Sequence, residues 1–373
     1  MQVGVPKETK IQEHRVGLTP ASVRELVHQG HEVTVQTMAG HVIGLDDGDY
    51  EAAGASIAET AEAVFAEADL IVKVKEPSPR ERAMLREGQI LFTYLHLAPD
   101  PDQAKALMES GCIAIAYETV TDSFGGLPLL TPMSEVAGRM AIQAGAHCLE
   151  LEQGGRGMLL GGVPGTPSAH VVILGGGVVG SNAARVAMGF EAHVSVIDKS
   201  LRRLQALDMQ FGPALNTVFS TVDAIEEHVL DADLVVGAVL IPGGSAPRLV
   251  TEDMVRNMKR GSVLVDVSID QGGCFATSRP TSHAEPTYKL HDVVHYCVAN
   301  MPGAVARTST FALNNATLPF VVALANKGAA KAMRDDPHLA NGLNVCRGHI
   351  TNAAVADALG EPVLPVETAL AKA

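Results

Sequence analysis

One stretch constrains this chain more than any other: HVVILGGGVVGSNAARVAMGFEAHVSVID, His170 to Asp198. An apolar run leads into Gly175, Gly177 and Gly180 at the spacing G-x-G-x-x-G. A helix-forming run follows, then a second apolar run that ends in Asp198, 18 residues past Gly180 (198 − 180). Gly175 permits a tight turn, Gly177 lets the backbone approach a pyrophosphate, and Gly180 lets helix and strand pack closely. The helix start offers unpaired N–H groups and the positive end of the helix dipole to phosphates. Asp198 is placed to accept hydrogen bonds from ribose hydroxyls and to repel a 2′-phosphate, which favours NAD over NADP. Arg203 works slightly against that preference, because an arginine accommodates an extra phosphate. A lone G-x-G-x-x-G also occurs as a plain structural turn. Here strand, loop, helix, strand and acid stand in order, which makes the dinucleotide reading strong.

The chain has 373 residues, too many for one ordinary core, so two domains are expected. Its net charge of -14 argues against a nucleic-acid partner, which needs a basic face. A small anionic ligand stays open, because local charge decides that. No apolar run has the roughly 18 to 20 residues that span a bilayer, so no membrane partner is expected. The opening MQVGVPKETK runs directly into a short strand and shows no secretory pattern. Cys112, Cys148, Cys274, Cys297 and Cys346 are scattered, with no CxxC among them. Neither a disulfide nor a zinc framework is expected, and a reducing cytoplasm is the simplest compartment.

Apolar strands and amphipathic segments alternate in both halves, the signature of α/β sheets with crossover helices. QVGVP, HEVTVQ, LIVKVK, QILFTYL and CIAIAY read as the first five strands. TPASVRELVHQG reads as a helix with Thr19 as N-cap, Pro20 at its first position and Gly30 as its stop. Thr131 or Ser134 is placed to cap a long connecting helix over residues 135–153. A second strand series follows, HVVILG, HVSVID, TVFST, DLVVGAV, SVLVDVS and VVHYCVAN. After Asn300 a long, mostly apolar helical run returns the chain to the first domain. The fold class is α/β, with two doubly wound, Rossmann-like domains joined by long helices. The expected division is 1–128 with 306–373, and 129–305.

Ligands in parallel sheets sit at the carboxyl ends of strands. In the first domain those ends carry Arg15, Lys75, His96 and Glu118; in the second, Asp270. Arg15 and Lys75 suit a carboxylate clamp, the arginine in bidentate fashion. Lys75 also reads as a solvated strand end, and Lys73, two residues earlier, as a supporting or solvated group. His96 suits a general acid or base, and equally a hydrogen-bonded histidine at a strand end. Asp270 suits the orienting of a reacting group, and competes with a turn-forming aspartate before Gln271-Gly272-Gly273.

With these residues in view, VGVPKETKIQEHRVGLTP, VKVKEP, FTYLHLAPD, VILGGGVVGSNAARVAMGFEAHVSVID, VDVSIDQGGC and VANMPGAV together resemble the alanine dehydrogenase family, which is related to nicotinamide nucleotide transhydrogenase alpha chains. The resemblance runs from Met1 to about Gly360. It implies that the NAD domain is inserted in the substrate domain, that the assembly is a homohexamer, and that L-alanine is deaminated reversibly to pyruvate and ammonia. It also implies that Arg15 and Lys75 contact the substrate carboxylate and carbonyl, with His96 and Asp270 as the catalytic pair. The NAD contacts it implies are Ser134, Val178, Val179, Asp198, Arg203, Ser220, Val239, Leu240, Val267, Ser268, Ile269, Asp270, Arg279, Val298, Ala299, Asn300 and Met301, beside the three glycines. Arg203 stands where a lysine is often found. Some relatives hold magnesium through a glutamate like Glu118 and a histidine in the returning helix; here that helix reads ALANKG, with Lys327, so no metal is expected. The alternatives are a transhydrogenase-like NAD-binding subunit without amino-acid chemistry, a dehydrogenase that joins lysine to a keto acid, and an NAD-sensing module.

Overall fold

The computed structural model describes residues 1–239 and 246–372. In chain order its strands are β1 (Gln2–Val5), β2 (Glu32–Gln36), β3 (Ser56–Ala58), β4 (Leu70–Val72), β5 (Ile90–Thr93), β6 (Ile113–Ala116), β7 (His170–Leu174), β8 (His193–Asp198), β9 (Asn216–Phe219), β10 (Leu234–Gly237), β11 (Val263–Asp266), β12 (Thr287–Leu290), β13 (Val293–Tyr296), β14 (Leu343–Cys346) and β15 (His349–Ile350). They form two sheets, in two compact units. One unit holds Met1–Met133 and Val305–Ala373, the other Ser134–Ala304.

The first unit's sheet runs β15-β14-β6-β5-β4-β1-β2-β3, and the second unit's runs β12-β13-β11-β10-β7-β8-β9. Counted over the parallel strands of each unit, leaving out the antiparallel β12, both contain the order 3-2-1-4-5-6 of doubly wound folds. Strands β1 to β6 are parallel, as are β7 to β11 with β13; β12, β14 and β15 pair antiparallel at the edges. The chain order reverses between β1 and β4 in one unit and between β7 and β10 in the other. These are the two places where a parallel sheet opens a crevice at its carboxyl edge.

The cores explain why the strands read as continuous apolar runs. In the second unit Val171, Ile173, Val194, Val196, Leu234 and Val236 face one buried layer. Val172, Leu174, Ile197 and Val235 face another on the opposite side. A strand covered on both faces has no polar alternation to show. The helix Pro20–His28 starts as its sequence predicts, with the Thr19 side chain accepting from Ser22 N and Pro20 at its first position. The connecting helix spans Thr131–Cys148, shorter than the expected run, because a 3-10 turn takes Leu151–Gln153. The returning helix, Ala306–Asp335, contains Pro319 and breaks at Gly328.

The strand that the sequence carries to Lys75 stops at Val72. Its neighbour β1 ends at Val5 before Pro6, which has no N–H to donate. Beyond that point the chain at Gly17 passes directly over the Val72 carbonyl. A Cβ on Gly17 would overlap that oxygen, so only glycine fits. Gly17→Ala is expected to destabilise the protein by about 1–3 kcal/mol or more, because backbone, not a mobile side chain, must yield. Gly48 lies in the helix Asp47–Ala52, and a Cβ there would meet nothing within 4 Å. Gly48→Ala is therefore expected to be neutral or slightly stabilising. Thermal denaturation of the two variants checks the contrast.

Candidate active site

In the second unit the glycine loop opens at the carboxyl end of β7. Gly175 has φ +102°, and a Cβ there would lie 2.5 Å from the Ala238 carbonyl oxygen. A Cβ on Gly180 would overlap the carbonyl oxygen of Gly175, whereas one on Gly177 would meet nothing within 4 Å. Gly177 caps the helix Val178–Gly189 without a side-chain acceptor, so first-turn N–H groups remain for a ligand. Asp198 ends β8. Its carboxylate accepts from Gly176 N at 2.7 Å and from Ser200 N at 2.7 Å, and each oxygen keeps a lone pair for a ribose hydroxyl. Arg203 donates to the carbonyls of Gly176 and Gly177. Its guanidinium is therefore drawn onto the loop that the sequence places it beside.

The remaining cofactor candidates lie along the same edge. Ser220 follows β9, its N–H donating to the Asp198 carbonyl at 3.0 Å. Val239 follows β10 and is clamped by Ser268, whose hydroxyl accepts from Val239 N at 3.1 Å and donates to Val239 O at 2.7 Å. Val267 to Asp270 form a 3-10 turn after β11, with Ser268 and Ile269 buried and Asp270 exposed. Arg279 lies over the Tyr288 ring at 4.2 Å. Val298 to Met301 follow β13, Val298 and Met301 buried and Asn300 at φ +58°. Ser134 sits one turn before Gly138, which presses against the Val179 carbonyl at the start of the glycine-loop helix. Leu240 lies outside the described residues.

In the first unit the carboxyl edge collects charge. Arg15 is buried, and its Nε and Nη2 donate to the two oxygens of Glu13 at 2.7 and 2.5 Å. Burial pushes the Glu13 carboxyl up, but its bonds from Arg15 outweigh that and hold it below the usual carboxylate range. Lys75 is half-buried. Burial first, and the nearby Arg15 charge second, pull its ammonium below the ordinary lysine pKa. His96 has a left-handed backbone, φ +50°, and stacks on Tyr94 with ring centroids 5.9 Å apart. The strain is contained by Glu118, whose carboxylate accepts from His96 N at 2.6 Å and Leu95 N at 3.2 Å. The same carboxylate stands 4.0 Å from His96 Nδ1. Lys327, in the returning helix, pairs with Asp335 at 2.8 Å.

Lys73 is fully buried, 2.7 Å from Glu81 and 3.3 Å from Glu8. Its solvated reading is therefore overturned; it supports. Burial pulls its pKa down, yet the two carboxylates more than compensate and it ends above its ordinary value. Asp270 lies in the turn before Gly272, and that turn is opened by Asp266, whose buried carboxylate accepts from Ser268 N and Cys274 N, both at 3.0 Å. Burial raises the Asp266 pKa, against those bonds and one from Ser278. Asp266, Glu8, Glu13 and Tyr94 escaped the sequence reading. A signal existed for Tyr94, which alternates with His96, and for Glu13, two residues from Arg15. Nothing local distinguishes Glu8 or Asp266, whose donors arrive from the fold.

Two family models match the chain: alanine dehydrogenase/PNT, N-terminal domain, over residues 4–137, and alanine dehydrogenase/PNT, C-terminal domain, over residues 141–353. Among curated relatives, an alanine dehydrogenase of Halomonas elongata is 61% identical over 96% of this chain and 97% of its own length. One from Mycolicibacterium smegmatis is 54% identical over 97% and 98%. A solved L-alanine dehydrogenase superposes with a TM-score of 0.94 at 51% identity, covering 96% of this chain and 99% of that one. A transhydrogenase from Sinorhizobium meliloti superposes at 0.80 with 24% identity, over 95% and 100%, a likeness of fold alone.

The glycine loop yields a paired prediction. Gly177→Ala should fold normally, since its methyl meets open space, yet lose NADH affinity by about tenfold or more, roughly 1.4 kcal/mol. Gly180→Ala should lose about 3 kcal/mol of stability or more, because the methyl meets a carbonyl. NADH fluorescence titration and thermal denaturation separate the two effects.

Proposed function

We propose a function from one premise: this chain belongs to the alanine dehydrogenase/PNT family. It is an NAD-dependent oxidoreductase that converts L-alanine reversibly to pyruvate and ammonia. The observation that carries the reading is the company of Arg15, Lys75 and His96 at the carboxyl edge of the first sheet, beside its switch point. Two cations suit a small carboxylate, and an imidazole after the adjacent strand β5 suits proton transfer at the neighbouring carbon.

The first unit is the substrate domain and the second the dinucleotide domain. NAD, when bound, supplies the hydride acceptor for the alanine Cα. Gly175, Gly177 and Gly180, with Val178 and Val179, cradle its pyrophosphate; Asp198 takes the adenosine ribose, with Arg203 drawn back onto the loop. Ser134, Ser220, Val239, Val267 to Asp270, Arg279 and Val298 to Met301 complete its surroundings. Arg15 and Lys75 hold the substrate carboxylate, and Lys75 reaches the carbonyl side. Glu13 fixes the guanidinium plane, so less freedom is lost when the carboxylate docks. His96 removes a proton from the water that attacks the imine carbon and returns one to the departing ammonia. Glu118 keeps the His96 backbone in its left-handed conformation throughout. Asp270 orients the reacting nitrogen.

The homohexamer and the cytoplasmic location stand as part of this proposal. All five cysteines are buried and free, which accords with a reducing compartment. No described helix is long and apolar enough to cross a membrane.

Absorbance at the reduced-nicotinamide band tests the reading directly. Purified protein with NAD should turn over L-alanine at alkaline pH, and should consume NADH with pyruvate and ammonia. NAD binding without turnover of any L-amino acid would defeat it. His96→Ala should lower kcat by at least about 100-fold with NADH affinity within about twofold of wild type. The lowered pKa of Lys75 predicts a pH effect. A cation whose folded pKa lies below its ordinary value loses its proton earlier as pH rises. The inhibition constant of pyruvate against L-alanine should therefore weaken with an inflection below 10.5. Lys75→Arg, which stays charged, should flatten that inflection even if it binds less well.

A further inference from the structure

Beyond Val72, β4 loses its neighbour on the β1 side, yet most backbone groups of the next three residues are held. Lys73 N donates to Phe92 O at 3.2 Å, and Val74 O accepts from Tyr94 N at 3.2 Å. Lys75 O accepts from the Thr93 hydroxyl at 2.9 Å. On the side that β1 vacates, the acceptor is one carboxylate. Glu8 Oε1 takes Val74 N at 2.7 Å and Lys75 N at 3.3 Å. Its other oxygen takes the Lys73 ammonium at 3.3 Å, and Lys73 reaches on to Glu81, which in turn accepts from Ser78 N at 2.7 Å. All three charged groups are nearly or fully buried.

From this arrangement we propose that Glu8 is a positioning residue for the reaction. It stands in for the missing strand, and by fixing the Lys75 backbone it sets where the Lys75 ammonium meets the substrate carboxylate. Lys73 is the counter-ion that keeps the Glu8 carboxylate in place. The buried lysine thus serves the half-buried one two residues on. The proposal rests on the role given above to Lys75. It asks nothing of the dinucleotide domain, so the effect must fall on the substrate and spare the cofactor.

The test uses Glu8→Asp, whose shorter arm cannot serve both Lys73 and the Val74–Lys75 backbone, and Glu8→Gln, whose amide oxygen still accepts both N–H groups. With purified full-length protein, KM for pyruvate should rise about tenfold in Glu8→Asp and only about twofold to threefold in Glu8→Gln. The kcat value and KM for NADH should stay within about twofold of wild type in both. A purely structural role would lower the melting temperature and the yield of active protein while leaving pyruvate KM unchanged, and that result overturns the proposal. A double-mutant cycle adds a second arm. In a Lys75→Met background, where the group being positioned is gone, Glu8→Asp should no longer change pyruvate KM. A tenfold change that persists there would show that Glu8 acts by another route. Wild-type protein without alanine turnover would instead remove the enzymatic reading itself, before either variant is made.

Discussion

A carboxylate that accepts two backbone N–H groups is the interaction on which both site edges depend. Parallel strands that diverge at a switch point leave loop N–H groups without a ladder, and buried donors need partners. Glu8 serves Val74 and Lys75, Glu118 serves Leu95 and His96, Asp198 serves Gly176 and Ser200, and Asp266 serves Ser268 and Cys274. Each is a charge-assisted bond, stronger than a neutral one. Each also fixes a loop that carries a candidate functional residue. The same chemistry recurs in two units that share only a strand order.

The cost of this device is buried negative charge, and the first unit shows how it is met. Glu8 and Glu81 share the Lys73 ammonium, and Glu13 faces Arg15. Breaking one partner of such a set leaves an uncompensated charge, which is far more damaging than the pair is stabilising. The cluster is therefore weak evidence for stability and better evidence for fixed geometry. It also explains how a chain of net charge -14 can offer a local anion site. At this edge the acids are already matched to cations or backbone donors, while Arg15 and Lys75 stand close enough for the arginine to depress the lysine.

Much of the fold was legible because a doubly wound sheet writes itself as apolar runs separated by helices. The runs at β1, β2, β4 to β11 and β13 were visible in that way. The strands β3, β12, β14 and β15, all at or next to a sheet edge, were not. The end of β4 was misjudged because VKVK continues the alternation after the neighbouring strand has gone. Site legibility followed sequence distance. The glycine loop and Asp198 lie within one motif and could be read together. Glu8 acts 66 residues away on Val74, and no local spacing announces that.

The carboxylates also decide where a ligand's anion is allowed to go. A loop rich in unsatisfied N–H groups would attract any phosphate or carboxylate, so filling those donors with fixed acids removes competing sites. The helices that begin after Thr19, Ser200, Thr221 and Thr251 are treated likewise, each closed by its own side-chain oxygen. Gly177 is different: it has no side chain to turn back onto its helix. The acid that could have closed the loop, Asp198, is instead engaged by Gly176, one residue short of the helix start. What remains open at that edge is a helix start with room before it and the loop already set. In the other unit what remains is an ammonium on a pinned backbone. Both are left available because their neighbours are not.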